Sequence, residues 1–344
     1  MSKNNKNLVS NQSFNPKNER IKHRYFKYLV GAKQKSVKSA DQARKMIMKF
    51  EDFTHYSDFS IFNSQIAIGF KEYLLTKGKK ETGEIYSQHT VNSALTNVRD
   101  FYVWLSNEQG FRKSIKPNDI AYLKPSLKEL AMTRVQGFRN FPTLDQVKTV
   151  ILNMPHKTDI AKRNRALIAF IAITGVRDGV ICGLKLKHIN LARELVHQNP
   201  MDMITKYSKE IFTFFFQVDD EIKTIFVEYF KWLQKEKLFG MNDPLFPKAK
   251  VSFEKIELSK LHASSTAMVY KIFKEAFALA EIEYFEPHTF RHMLTHYGED
   301  HCKTPAEFKA WSQNLGHENV STTFGSYGRI DVYNQGKLIM KVGK

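Results

Sequence analysis

Two cysteines in 344 residues, Cys182 and Cys302, cannot build a disulfide framework, and they are not spaced as metal ligands. No run approaches the roughly 18 apolar residues that a membrane-spanning helix needs. The opening MSKNNKNLVSNQSFNPKNER has basic residues with no apolar core behind them, so no secretory signal is expected there. There is no glycine-rich phosphate loop, hence no sign of a nucleotide-driven reaction, and no internal repeat. A protein of the reducing cytoplasm without a membrane partner fits these absences. Acidic charge is also scarce: 35 Asp+Glu face 53 Lys+Arg, a formal net charge of +18. A soluble chain with that excess repels itself and calls for a polyanionic partner, nucleic acid before an anionic membrane surface.

The hydrophobic share of 42% is enough to bury a sizeable core, and the length suits two domains. Residues 1–22 are polar and offer no apolar face, which predicts a flexible basic tail. Thirteen Lys/Arg against only Glu19 and Asp41 within residues 1–50 make this end suited to following DNA phosphates. Residues 23–124 read as a small all-helical domain. Ser39 is placed to cap a helix running to Phe53, and a second helix occupies 61–76. The clearest helix is SQHTVNSALTNVRDFYVWLS, where Val91, Leu95, Val98, Tyr102 and Leu105 fall three and four apart on one stripe. A basic linker over 125–142 closes at Pro142.

The second domain, 143–344, opens with Thr143 and Gln146 spaced as a capping box. RNRALIAFIAITG reads as a buried helix stopping at Gly175. The run Ile211 to Phe216 with Val218 favours strand, so a β-hairpin is expected with its turn around Lys206–Lys209. Asp219 should cap an amphipathic helix with Ile222, Ile225, Phe226, Tyr229, Phe230 and Leu233 on its stripe, and another helix should span 265–280. The expected fold class is mainly α: an all-helical N-terminal domain, then an α-rich domain with a small β-hairpin.

Four separated pieces carry chemistry when taken together. They are TGVRDGVICGLKLKHIN with Arg177, ITKYSKE with Lys206, EPHTFRH with His288 and Arg291 three apart on one helix face, and NLGHENVSTTFGSYGRI with His317 and Tyr327. Singly each has a plain alternative: a surface arginine, a solvated turn lysine, a capped helix start, a half-buried packing tyrosine. As a set they suit attack on a phosphodiester. Two guanidiniums can each take phosphate oxygens with paired hydrogen bonds and stay charged. His288 and His317 can donate to the same phosphate or assist the Tyr327 proton, since a phenol of pKa about 10 needs help at neutral pH. An ammonium on a flexible stem, Lys206, suits protonation of a departing 5′ oxygen.

In this order the residues resemble the tyrosine recombinase (phage integrase) family. The neighbours TGVR, LKLKHI, HTFRH and LGHENVSTT match as well, and QHTVNSALTNVRDFYVWL resembles the helix that family uses to grip DNA. The resemblance covers roughly residues 40–335. It implies catalytic roles for Arg177, Lys206, His288, Arg291, His317 and Tyr327, and a covalent 3′-phosphotyrosine that conserves bond energy, so that no ATP, metal or other cofactor is needed. It implies a two-domain clamp on double-stranded DNA with a specific target site, and a homotetramer on two sites. It further implies accessory DNA-bending or directionality proteins, and a segment 331–344 that docks on a neighbouring protomer.

Two features depart from the family pattern. Val180 stands where an acidic residue is usual, three places after Arg177, with Asp178 nearer but differently placed. Tyr327 lies ten residues after His317 rather than nine, the extra residue falling near Gly325, where the chain can absorb a kink. Lys209 is the alternative catalytic lysine, because hairpin turns shift register easily. Three rivals remain. One is a metal site on His288, His292, His296 and His301, although HTFRH lacks the Glu of the protease-type arrangement. The others are a type IB topoisomerase-like relaxing enzyme and a DNA-binding module with an inactive recombinase-like domain.

Overall fold

The computed structural model describes residues 14–76, 85–126, 140–203, 209–252 and 255–317, together with positions 336, 339 and 340. The chain divides into two compact units, Met1–Gln136 and Gly137–Lys344.

The first unit is helical in its described residues: α1 (Pro16–Lys27), α2 (Val37–Phe53), α3 (Ser64–Thr76), α4 (Gln88–Leu105) and the short α5 (Pro117–Ala121). The tail expected over residues 1–22 therefore ends earlier than the composition suggests. Asn15 caps α1 by accepting from Lys17 and Asn18, and Pro16 sits at the first helical position. The helix then widens into a π turn over Tyr28–Ala32. Ile21, Tyr25 and Leu29, four apart, are buried, so a narrow apolar stripe holds α1 to the core although the segment is mostly charged. Lys22 of α1 reaches the buried Glu51 of α2 at 2.5 Å and, within its own helix, Glu19 at 2.5 Å. The cap of α2 is Ser36, not Ser39: the Ser36 side chain accepts from the Ser39 amide. In α4 the stripe Val91, Leu95, Val98, Tyr102 and Leu105 is buried as expected, and Tyr102 stacks on Phe62 at 3.8 Å.

The second unit comprises α6 (Leu144–Asn153), α7 (Asp159–Thr174), α8 (Asp178–Ile181), α9 (Asp220–Lys235), α10 (Ala267–Leu279), α11 (Thr289–His301) and α12 (Pro305–Asn314). The Thr143–Gln146 capping box is present, and Asp219 caps α9 through the Ile222 amide. From Ala166 to Thr174 every residue of α7 is buried, making it the central helix, with the Phe226 face of α9 packed against Phe170.

Three short antiparallel strands, β1 (Ile189–Asn190), β2 (Leu195–Gln198) and β3 (Ile211–Phe214), form a sheet in that order. The β2–β3 register pairs Leu195 with Phe214 and Gln198 with Ile211, so the expected hairpin exists and its connection contains positions 206–209. The strand stops at Phe214, short of the expected Val218. Phe215 and Phe216 leave the ladder, their amides turning to the carbonyls of Glu194 and Ile173 at 2.7 Å each, and their rings enter the core. A second hairpin, β4 (Ala249–Ser252) with β5 (Lys255–Leu258), is not foreseen by the sequence reading. Its Val251 and Ile256 are 79% and 63% exposed, so no buried face marks it in the pattern.

Candidate active site

The site forms where the ends of α7, α11 and α12 meet. Helix α7 stops because Gly175 adopts a left-handed conformation, φ +58°, with its amide donating to the Ile171 carbonyl at 2.8 Å. Two residues on, Arg177 occupies the N-cap position of α8. Helix α11 begins after His288, which is exposed, and places Arg291 one turn inward. Helix α12 ends in the turn Leu315–Gly316–His317, where the His317 amide donates to the Ser312 carbonyl at 3.2 Å.

Arg291 ties these three ends together. Its guanidinium donates through Nη1 to the Gly175 carbonyl and through Nη2 to the Leu315 carbonyl at 2.5 Å. Nη2 also lies 3.3 Å from His317 Nε2. Arginine is a donor only, so His317 Nε2 is the acceptor in that contact and its Nδ1 carries the ring proton. Arg291 is 5% exposed. Burial, followed by repulsion from the neighbouring Arg177, pulls its pKa down to about 9, which leaves it charged at neutral pH. The Arg177 guanidinium stands close to the same turn: a Cβ added to Gly316 would lie 3.8 Å from Arg177 Nη1. Among the described residues Arg291's partners are two carbonyls and an imidazole, with no carboxylate. A buried cation beside a second cation, without a carboxylate on it, favours an incoming anion.

Of the six residues singled out in the sequence, Arg177, Arg291 and His317 come together, and His288 lies one helical turn away, its carbonyl accepting from the Arg291 amide at 3.1 Å. Lys206 and Tyr327 lie outside the described residues, as does Tyr333. Lys209 is exposed just before β3. The position of the family's acidic residue is filled by Val180, buried in α8. Asp178 instead engages Tyr270 on α10, and burial together with that carboxylate pushes the Tyr270 phenol up to about 12.

Nothing in the residue types marks the carbonyls of Gly175 and Leu315 as what orients Arg291. The glycine stop and the Leu-Gly-His turn were the available signals. The four histidines at and along α11 are not gathered at one point: His288 meets His292 edge to face at 5.4 Å, His296 stacks on Phe141 at 4.5 Å, and His301 stacks on Tyr297 at 3.9 Å. Among the described residues no three His, Cys, Asp or Glu side chains are grouped to hold an ion.

Gly175 gives a direct test of this packing. A Cβ there would stand 2.9 Å from Leu294 Cδ1 and 3.0 Å from Leu315 Cδ2. Gly175→Ala is expected to cost about 1–2 kcal/mol from the left-handed backbone alone. The contact with Leu294 and Leu315 adds to that, so the denaturant midpoint should fall and cleavage should slow with it. An unchanged midpoint would contradict the close approach.

Two arginines and a histidine brought together at the ends of three helices suit an anion such as a phosphodiester, the chemistry of DNA strand transferases. The phage integrase family model matches residues 141–332, more than half of the sequence, and the chain belongs to that family. It is 26% identical over 252 residues to tyrosine recombinase XerC of Lactobacillus delbrueckii subsp. bulgaricus, covering 73% of this chain and 74% of that protein. XerC of Lactobacillus leichmannii is 26% identical over 257 residues. Among solved structures the fold resembles the Tn1549 transposon integrase in complex with transposon right end DNA, with TM-score 0.62, 14% identity, and coverage of 94% of this chain and 99% of that one. It also resembles a λ integrase dimer bound to a core site, with TM-score 0.61, 12% identity, and coverage of 91% and 99%.

Proposed function

We propose that this chain cuts and rejoins double-stranded DNA at a specific site through a 3′-phosphotyrosine on Tyr327. The observation that carries the reading is the buried Arg291, seated beside Arg177 and His317 with no carboxylate partner among the described residues, where three of the family's motifs meet. The two guanidiniums hold the non-bridging oxygens of the scissile phosphate as charge builds on them. The Tyr327 oxygen attacks phosphorus, its proton passing to His288 while His317 donates to the phosphate, and the Tyr–O–P bond forms as the bond to the 5′ oxygen breaks. Lys206 gives that oxygen its proton, so a 5′ hydroxyl leaves. Attack by a 5′ hydroxyl on the phosphotyrosine reverses the chemistry and joins a new partner strand without ATP.

The protein's cations supply the charge stabilisation, so the reaction proceeds without a metal ion. Four protomers act on two sites, residues 331–344 dock on a neighbour, and accessory DNA-bending or directionality proteins set the outcome. The work is done in the cytoplasm, on DNA. An inactive DNA-binding module is not favoured, because the two arginines, the hairpin lysine, both histidines and the tyrosine of the family's pattern are all present in order. A relaxing enzyme of the type IB kind shares the chemistry and is not favoured either.

Lys206→Ala, assayed on a nicked site in excess chelator, is expected to slow cleavage by roughly 10²–10⁴-fold with little change in DNA affinity. A substrate with a 5′-bridging sulfur, which leaves without protonation, should restore the rate. Should Lys209→Ala show both the defect and the rescue instead, the leaving-group acid is Lys209.

Binding should depend steeply on salt, as the +18 charge implies. Each neutralised phosphate contributes about −0.9 to the log–log slope, and a clamp with roughly six contacts loses about a thousandfold in affinity between roughly 50 and 200 mM salt. A flat titration would contradict a phosphate-tracking clamp.

A further inference from the structure

The connection between β2 and β3 is held at its start by a polar cluster that the reaction scheme does not use. The Asp202 carboxylate accepts from Lys185 Nζ at 2.8 Å, Lys187 Nζ at 2.9 Å and His188 Nε2 at 3.1 Å. His188 is 3% exposed, and its Nδ1 accepts from the Lys185 amide at 2.9 Å. That leaves Nε2 to carry the single ring proton toward Asp202, so the neutral imidazole is satisfied on both sides. Burial lowers the His188 pKa, in keeping with the neutral ring. The hydrogen bonds from Lys185, Lys187 and His188 in turn hold the Asp202 carboxyl far below the usual carboxylate range.

Backbone packing fixes the same place. A Cβ on Gly183 would fall 2.6 Å from Met203 Cβ and 3.1 Å from Met203 Cα, so only glycine lets the chain at 202–203 lie this close. Met203 itself is buried, and the amides of Asp202 and Met203 both donate to the Asn199 carbonyl, at 3.1 and 3.2 Å. The segment that grips Asp202, residues 183–188, follows shortly after α8, whose N-cap is Arg177. Lys206 is four residues beyond Asp202, a tether of at most about 14 Å when fully extended.

We propose that Asp202 is a positioning residue for the leaving-group acid: held by Lys185, Lys187 and His188, it fixes the base from which Lys206 is presented, relative to the segment that carries Arg177. The inference rests on the assignment of Lys206 above. It assigns the cluster a role in the protonation step, not in phosphate binding or nucleophilic attack. Loss of the carboxylate leaves Lys185 and Lys187 facing each other without the charge between them, and the 199–203 turn loses its tie.

The test uses single-turnover cleavage of a nicked site at saturating DNA, with 5′-oxygen and 5′-bridging-sulfur substrates, for the wild type and for Asp202→Ala, Asp202→Asn and Lys206→Ala. A small misplacement of a catalytic group costs on the order of a hundredfold. Asp202→Ala should therefore slow the oxygen substrate by about that factor and cleave the sulfur substrate at the wild-type rate, with Asp202→Asn showing the same pattern in milder form. If Asp202→Ala fails to fold, Asp202→Asn is judged by the same two rates. Equal slowing on both substrates would mean that the cluster only supports the fold, and no slowing on either would mean that Lys206 is presented without it. Either result overturns the inference while leaving Lys206 in its role, provided that Lys206→Ala is rescued by sulfur. If Lys206→Ala is not rescued, the assignment of Lys206 falls and the positioning role of Asp202 falls with it.

Discussion

Arg291→Ala should abolish cleavage and also destabilise the C-terminal unit. The guanidinium is the donor for two backbone carbonyls at the ends of α7 and α12. Removing it strands both acceptors in a buried setting, each at a cost of about 1–3 kcal/mol. It also removes one of the two charges meant for the scissile phosphate, and arginines in comparable phosphoryl-transfer roles are worth about 10³–10⁵ in rate. Arg291→Lys separates the two contributions. A lysine keeps the charge but has no planar fork to reach Gly175, Leu315 and a phosphate together. The lysine variant is therefore expected to fold with a lowered denaturant midpoint and to remain strongly impaired in cleavage. Arg177→Ala should show the opposite balance, a large loss of rate with a smaller loss of stability, because Arg177 is only half-buried at a helix start. Paired denaturation curves and single-turnover rates check this. Near-normal cleavage by Arg291→Lys would mean that a point charge suffices and that the fork geometry is unimportant.

Tyr327→Phe should eliminate the covalent protein–DNA complex while leaving DNA affinity and stability unchanged, since only a hydroxyl is lost. With no nucleophile the enzyme has no path to the 3′-phosphotyrosine, and the adduct should fall below detection. Tyr333→Phe is the necessary control. Tyr333 lies six residues further on, beyond the TTFGS segment that resembles the family's approach to the nucleophile. It should form the adduct at the wild-type rate. The one-residue departure in spacing after His317 makes this comparison decisive, because a shifted register would exchange the two outcomes.

Helices with a wide apolar stripe were legible from the sequence. The α4 stripe, the all-round apolar α7 and the Ile222–Leu233 face of α9 are buried as their periodicity requires. Helix α1 was obscured because Ile21, Tyr25 and Leu29 are a narrow stripe among lysines, arginines and asparagines, and composition outweighed spacing. The caps of α2 were interchangeable by eye, since Ser36 and Ser39 stand three apart and both suit the role. Hairpin β4–β5 left no trace because Val251 and Ile256 face solvent and give it no continuous buried face.

At the site, the residue types were readable because charge-bearing side chains have recognisable motifs. What orients Arg291 was not readable, because backbone carbonyls carry no residue signature. The Asp202 cluster was missed for a related reason. Its members are common surface residues scattered over residues 185–202, and only the fold turns them toward one carboxylate.

The most direct measurement is to trap wild-type protein on a nicked target site in excess chelator, digest the covalent complex, and identify by mass spectrometry the residue joined to the 3′ phosphate. The expected result is a single phosphodiester linkage on Tyr327, formed without metal or nucleotide. A linkage on any other residue would displace the nucleophile, and the absence of an adduct with a site that the protein binds tightly would contradict covalent strand transfer altogether.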